Sequence, residues 1–129
     1  MQPLWLLDSI GSRLIRDEQQ AFSDLSISSL GNYFLQLGIW GHSNTFTDNT
    51  PIKNRFLITA HSFGEVALVA DLDRLPLQDQ TIDVVFLPHT LEQYDNHLEI
   101  LNSCVNTISE SGSLVALGFN PASLWGVRH

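Results

Sequence analysis

The chain has 129 residues, of which 43% are hydrophobic, so it is long enough for one domain with a sizeable core. A formal net charge of −8 and a pI near 4.7 argue against a nucleic-acid backbone or an anionic membrane as the main partner, and favour a neutral or cationic small substrate. The amino terminus has neither a basic region nor a long apolar segment. We therefore expect no signal peptide, no membrane span and a cytoplasmic location.

The first half of the chain predicts helices followed by short strands. Apolar side chains at helical spacing predict one or two amphipathic helices over residues 4–30, interrupted near Gly11 and in the serine-rich stretch 23–29. Short apolar runs predict four strands, over residues 33–37, 56–60, 66–70 and 81–87. The polar stretch 42–55 is predicted to be a loop.

The clearest helical pattern lies before the last strand. Apolar residues spaced 3, 4, 3, 4 and 3 apart are predicted to line one buried face: Leu91, Tyr94, Leu98, Leu101, Val105 and Ile108. Ser111-Gly112 is expected to end this helix, and residues 113–117 to form a fifth strand. The lone cysteine, Cys104, is expected to be a buried structural thiol.

Short apolar strands separated by crossovers predict a three-layer α/β fold with a mainly parallel, five-stranded, Rossmann-like sheet. We expect one domain over residues 1–129, with helices in residues 1–32 and the sheet core in residues 33–129.

The block from residue 71 to residue 128 has a distinctive order. Leu75-Pro76-Leu77 leads into a buried strand, a helix, a Ser-Gly turn and another strand, and the block closes with Gly118-Phe119-Asn120-Pro121 and Ser123-Leu124-Trp125-Gly126. This order resembles the second half of a class I S-adenosylmethionine-dependent methyltransferase, in particular a small bacterial group with a GFNP-x-SLWG turn. The resemblance implies S-adenosylmethionine as cofactor and methyl transfer to an unidentified, small-molecule acceptor.

The resemblance also implies which residues follow the first strand at the cofactor. The family pattern there is acidic-x-Gly-x-Gly-x-Gly. In this chain Gln36 replaces the acid, Gly38 keeps the first glycine, and Trp40 and His42 replace the other two, while Gly41 adds a glycine out of phase. The Trp40 indole can either stack on the adenine or the sulfonium, or fill the space where the methionine part would lie.

Further cofactor residues are implied at the ends of the next three strands. His61 stands near the place of the acid that would accept bonds from the ribose. Asp71 would accept from the adenine amino group, with the Leu72 amide nearby. Pro88 begins the segment beside the cofactor, and His89 is the candidate general base.

The end of the chain predicts an edge that needs cover. A complete domain of this kind has two more strands, one of them antiparallel to strand five, and exposed apolar edges are normally paired or covered. We expect cover from the residue 121–125 tail, from a second copy in a homodimer, or from further sequence.

Two other interpretations remain open. The departures from the cofactor motif are compatible with a degenerate, non-catalytic methyltransferase-like binding or assembly module. The stretch Ala60-His61-Ser62-Phe63-Gly64 resembles a hydrolase nucleophile elbow, with Ser62 followed by Asp83 or Asp95 and then by His97 or His129. A metal site is not expected, because the five histidines are scattered and the His89/Glu92 pair is interpreted as a capped helix start.

Overall fold

The computed structural model describes residues 9–24, 31–42, 44–61, 68–118 and 124–128. The elements follow in the order helix α1 (Ser9–Asp24), strand β1 (Tyr33–Leu37), a 3-10 turn (Thr47–Asn49), strands β2 (Asn54–Thr59), β3 (Leu68–Val69) and β4 (Ile82–Pro88), helix α2 (His97–Thr107), and strands β5 (Ile108–Leu117) and β6 (Leu124–Arg128). Among the described residues, no helix is long and apolar enough to span a membrane.

The strands form one sheet in the order β3-β2-β1-β4-β5-β6. Strands β1 to β5 are parallel, whereas β6 runs antiparallel to β5. The predicted α/β fold with five parallel strands is therefore confirmed. The strand order reverses between β1 and β4, and open parallel sheets bind ligands at such a point, outside the carboxyl ends of the strands.

The two faces of the sheet bury different sets of side chains. One face packs against α2 through aliphatic residues such as Leu35, Val85 and Ile100. The other face packs against α1 and is aromatic: Phe22 of α1 lies 4.5 Å from Phe86 between ring centroids. The sheet is thus covered on both sides, which explains why its central strands are almost entirely apolar.

Helix α1 has no break near Gly11, contrary to the prediction, and runs unbroken to Asp24. The predicted loop between β1 and β2 is largely irregular, apart from the 3-10 turn, but it is anchored. Its Phe46 is fully buried and its ring centroid lies 4.9 Å from that of Phe86.

The prediction for α2 was wrong in its bounds and in part of its buried face, since Leu91, Tyr94 and Leu101 do pack against the core. The helix begins at His97 rather than near Leu91, so the residue 91–94 segment forms a turn. Leu98 is 65% exposed and Val105 is 44% exposed. The buried positions are Ile100, Cys104 and Thr107. A threonine can occupy this face because its hydroxyl donates to the Ser103 carbonyl inside the helix.

Strand β5 begins at Ile108, five residues earlier than predicted, so Ser111-Gly112 lies within the strand. A register shift between Ile82 and Val84 of β4 accommodates the extra residues as a bulge. The free edge of β5 is covered by β6, with Leu114 opposite Val127 and Val115 opposite Gly126. The cover is residues 124–128, which share Leu124 and Trp125 with the predicted 121–125 segment, and this edge of β5 does not require a second copy of the chain.

Candidate functional site at the carboxyl ends of β1 and β4

The loops that follow β1 and β4 approach each other closely at Gly38. This glycine has a φ of +86°, and its amide donates to the Ile58 carbonyl over 2.8 Å. A Cβ atom at Gly38 would lie 2.9 Å from the Thr90 hydroxyl oxygen. Because the Thr90 hydroxyl itself donates to the Leu37 carbonyl, it holds the two loops together. Glycine is required here for both its backbone angle and its lack of a side chain.

Gln36 is fully buried at the end of β1, where the resemblance places an acid. Its amide nitrogen donates to the Gly38 carbonyl over 2.9 Å. Its side-chain oxygen, Oε1, is buried and accepts no hydrogen bond from the described part of the chain. Unsatisfied buried acceptors are uncommon in folded proteins, so this atom is a candidate acceptor for a ligand or a water.

Trp40 occupies the space between the two loops. Its side chain is only 2% exposed, and its ring centroid lies 4.2 Å from that of His89. The indole N–H donates to Glu18 Oε1 of α1 over 2.9 Å. Of the two roles that the sequence left open for Trp40, this position favours the filling of the crevice.

His89 is held between two carboxylates. Its side chain is 1% exposed, its φ is +56°, and its amide donates to the Leu117 carbonyl over 2.9 Å. Nε2 is hydrogen-bonded to Glu18 Oε2, and Nδ1 lies 3.2 Å from Glu92 Oε1. The His89/Glu92 pair lies in a turn and not at the predicted helix start, since α2 begins at His97.

Glu18 is the residue that the sequence analysis missed. It is only 6% exposed and joins α1 to both loops. Its spacing carries a signal, because Ile15 and Phe22 are buried on either side of it at helical intervals. A carboxylate on the apolar stripe of a helix indicates a buried acid with a partner elsewhere in the chain.

Gly41 and Pro88 have backbone roles at this edge. Gly41 has a φ of +82°, and a Cβ atom there would lie 2.9 Å from the Thr45 hydroxyl oxygen. That hydroxyl accepts from the His42 amide over 2.8 Å, so Gly41 is needed for the turn. Pro88 is the last residue of β4 and pairs with Leu117 of β5.

A separate pocket of about 130 Å³ lies beyond β2 and β3. Its lining includes Ala60, Asp71, Leu72 and Tyr94. Leu72 is buried, whereas Asp71 is exposed and its carboxylate accepts no hydrogen bond within the described residues. Burial raises the pKa of the Tyr94 hydroxyl. His61 is exposed at the end of β2, where its carbonyl accepts the Thr59 hydroxyl.

The predicted cofactor residues therefore form two groups at one edge of the sheet. Asp71 and Leu72 share the pocket on the α2 side, and Leu72 packs in the aliphatic core there. Trp40 packs in the aromatic core on the α1 side, where Glu18 links it to His89. The pocket is smaller than the roughly 300–1,000 Å³ of typical small-molecule sites, so it is large enough for only part of a nucleoside cofactor.

Of the residues of the hydrolase interpretation, the structure describes Asp83, Asp95 and His97. Asp83 accepts from the amides of Asn32 and Tyr33 over 2.7 and 3.0 Å, at the amino end of β4 and away from the crevice. Ser62 and His129 lie outside the described residues. Within the described residues, no group of three or more His, Cys, Asp or Glu side chains is arranged to hold a metal ion.

Comparison with models of protein families shows the family to which the chain belongs. The model of the family described as "Methyltransferase domain" matches residues 46–116, more than half of the chain. The chain belongs to this family. The matched region covers the Asp71 pocket and the residue 88–92 loop, whereas Glu18, Gln36 and Trp40 precede it.

Similar proteins are consistent with membership of the methyltransferase domain family. The uncharacterized protein YafS of Escherichia coli (strain K12) is 36% identical over 63 residues, which are 49% of this chain and 26% of YafS. A possible histamine N-methyltransferase from Thermotoga maritima has a similar fold, with a TM-score of 0.69 and 18% identity, over 87% of this chain and 54% of that protein.

Two further methyltransferase structures share the fold. The mitomycin 7-O-methyltransferase MmcR has a TM-score of 0.62 at 15% identity, over 84% of this chain and 37% of its own length. A putative methyltransferase of Haloferax volcanii was solved with the Trm112 methyltransferase activator. It has a TM-score of 0.61 at 17% identity, over 87% of this chain and 57% of that protein. The chain spans about a quarter of YafS and about two to three fifths of these structures. Its sheet is that of the class I methyltransferases.

Proposed function

We propose that this chain binds S-adenosylmethionine and forms the cofactor-binding part of a methyltransferase that acts on an unidentified small-molecule acceptor. Under this proposal residues 1–129 act as one domain. The observation that carries the proposal is the pocket at Asp71 and Leu72, at the carboxyl ends of the strands of a methyltransferase-family sheet. Sheets of this type bind their ligands at that edge.

The Asp71 pocket supports the adenine end of the cofactor. The exposed Asp71 carboxylate can accept from an exocyclic amino group, and the apolar side chains of Ala60 and Leu72 line a space suited to a flat ring. His61, at the end of the neighbouring strand, is positioned as a donor or acceptor for a ribose hydroxyl. The volume of about 130 Å³ suits one end of the cofactor and not the whole of it.

The residues after β1 and β4 would take the other end of the cofactor. Gln36 offers a buried acceptor, Oε1, beside the turn at Gly38. When bound, S-adenosylmethionine supplies a methyl group on a sulfonium, which is already a good leaving group. Methyl transfer then needs mainly an acceptor held in line. His89 would serve as a base only after one of its two carboxylate partners is released.

Calorimetric titration with S-adenosylmethionine and S-adenosylhomocysteine tests the proposal. We expect binding by the wild-type chain and weaker binding by Asp71→Ala. Hydrogen bonds to charged groups contribute about 1.5–3 kcal/mol, which corresponds to a loss of roughly 10- to 150-fold in affinity. Asp79→Ala is the matched control, because Asp79 is an exposed carboxylate outside the pocket.

Two outcomes would contradict parts of the proposal. Equal affinities for the wild-type chain and Asp71→Ala would remove Asp71 from the site. Absence of binding of both ligands to a folded chain would favour the non-catalytic methyltransferase-like module, for which the crevice filled by Trp40 is the specific supporting observation.

Three finer features belong to the same proposal. We propose that the chain belongs to the small bacterial group with a GFNP-x-SLWG turn, on the resemblance of its Gly118–Gly126 sequence; residues 119–123 of this segment lie outside the described residues. We also propose a cytoplasmic location. Assembly is open to test: the Haloferax volcanii protein was solved with a protein activator, so a protein partner and a homodimer are both candidates.

A further inference from the structure

Two ring nitrogens converge on one buried carboxylate at the switch point of the sheet. The indole N–H of Trp40 donates to Glu18 Oε1 over 2.9 Å, and Nε2 of His89 is hydrogen-bonded to Glu18 Oε2; Nε2 is the donor in the tautomer that carries the proton there. Each carboxylate oxygen thus has its own ring-nitrogen partner. The three side chains are between 1% and 6% exposed, so these bonds are shielded from water.

The donors belong to the loops and the acceptor belongs to the helix. Trp40 follows β1 and His89 follows β4, and these strands are neighbours in the sheet. Glu18 reaches them from α1, which packs on the aromatic face. The loop backbones are fixed independently of Glu18, since the Gly38 amide bonds to Ile58 and the His89 amide bonds to Leu117. The donor pair therefore belongs to the sheet edge, and its occupant comes from a separate element.

A buried carboxylate is costly unless it is hydrogen-bonded, and the ring nitrogens that bond to it lose these two bonds when the carboxylate leaves. The indole nitrogen is only a donor, so it can bond to an anion or to a neutral acceptor but never to a cation. This pair is hence matched to a carboxylate group, and Glu18 supplies one from within the chain.

We propose that Trp40 Nε1 and His89 Nε2 form a carboxylate-binding site, which Glu18 fills in the closed state of the chain and from which a ligand carboxylate displaces it. The inference rests on the proposed function in one respect: the displacing group is then the carboxylate at the amino-acid end of S-adenosylmethionine. Release of Glu18 also frees Nε2 of His89. The ligand therefore enters the crevice only when Glu18 leaves the loops.

Chemical rescue tests the site without the cofactor. Glu18→Ala removes the internal carboxylate and leaves both donors in place. Acetate or propionate should raise the melting temperature of this variant saturably, by about 3 °C or more relative to chloride at equal ionic strength. Asp17→Ala is the matched control, because it removes an exposed carboxylate from the same helix and should show no such rise. Equal responses of the two variants would overturn the proposal.

Cofactor binding tests the competition. Glu18→Ala should bind S-adenosylmethionine several-fold more tightly than the wild-type chain, whereas its affinity for 5′-methylthioadenosine, which lacks the carboxylate, should not change. Asp17→Ala should leave both affinities unchanged. Weaker binding of S-adenosylmethionine by Glu18→Ala would mean that Glu18 supports the ligand site, and would overturn the competition.

Hydrogen exchange of the wild-type chain provides a test that does not depend on the folding of a variant. Saturation with S-adenosylmethionine should accelerate amide exchange in α1 around Glu18; unchanged or slower exchange there would contradict displacement. The two proposals fail in different ways. Rescue by acetate without binding of S-adenosylmethionine would retain the carboxylate site and remove the proposed function. Binding of S-adenosylmethionine without rescue by acetate would retain the proposed function and remove the carboxylate site.

Discussion

Glu18 and His89 lie 71 residues apart in the chain, yet their side chains are hydrogen-bonded inside the protein. The contact joins the first described helix to the loop after β4. Trp40 completes the cluster from the loop after β1, so three separate segments meet at the edge where a ligand is expected. The cluster therefore links the stability of the fold to the state of the crevice.

The Trp40–Glu18 bond should contribute measurably to stability. We expect Trp40→Phe to lower the free energy of unfolding by about 1–3 kcal/mol, because a buried carboxylate oxygen loses its donor. Urea denaturation measures the change. The same substitution in a Glu18→Ala background is the control, and its smaller cost would isolate the bond from the loss of ring volume. If Trp40→Phe costs the same free energy of unfolding in both backgrounds, the bond contributes nothing to stability.

Gly38→Ala should destabilise the chain through two separable effects. The φ of +86° costs a residue with a side chain about 1–2 kcal/mol, and the new methyl group would collide with the Thr90 hydroxyl at 2.9 Å. We expect a smaller cost when Gly38→Ala is made in a Thr90→Ala background, because the collision is then removed. Chemical denaturation of the two single variants and the double variant gives the comparison. An identical cost in both backgrounds would assign the whole effect to the backbone angle.

Cys104 should make stability depend on pH above 9. Burial raises the pKa of this thiol from 9.0 to about 12, so the unfolded chain loses the proton at a lower pH than the folded chain. The stabilisation is complete below pH 9 and is lost as the pH rises toward 12, at about 1.4 kcal/mol per pH unit.

The Cys104→Ala variant isolates this dependence. The difference in unfolding free energy between the wild-type chain and the variant should decrease between pH 9 and pH 10; Tyr94, whose pKa is also raised, is present in both proteins, so its contribution cancels in this difference. A difference that stays constant over this range would contradict the buried thiol. As a second check, native Cys104 should react with thiol reagents only as fast as the chain opens.

Strand β6 should keep the chain from associating through β5. Residues 113–117 of β5 are apolar apart from Ser113, and they pair with β6 along their whole length. We expect a variant that ends at Gly118 to associate more strongly in sedimentation than the 129-residue chain does. A full-length dimer would indicate a different interface, and a monomeric truncated variant would show that the edge needs no cover.

The strands were the part of the fold that the sequence predicted well. Strand β1 has the predicted bounds, and β4 differs by one residue at each end, since buried parallel strands are short apolar runs between turn residues. The face of α2 was mispredicted because tertiary contacts decide which apolar residues are buried. Leu98 and Val105 stay exposed while Thr107 is buried with its hydroxyl bonded to Ser103.

The candidate site was only partly predictable. Strand ends are visible in the sequence, and so Gly38, Trp40, Asp71 and His89 were singled out as residues of the carboxyl edge. The role of Glu18 was not visible, because a buried acid is recognised by a partner, and its partners lie 22 and 71 residues away. No local pattern encodes such a pairing.

The separation of Glu18 from His89 also determines how long after Glu18 its partner is synthesised. At roughly 5–20 residues per second, a ribosome needs about 4–14 seconds to extend the chain from one residue to the other. Throughout that interval Ile15 and Phe22 have no completed aromatic core to pack against, because Phe86 has not yet been made. The apolar face of α1 therefore completes its packing only after the second half of the sheet has been synthesised.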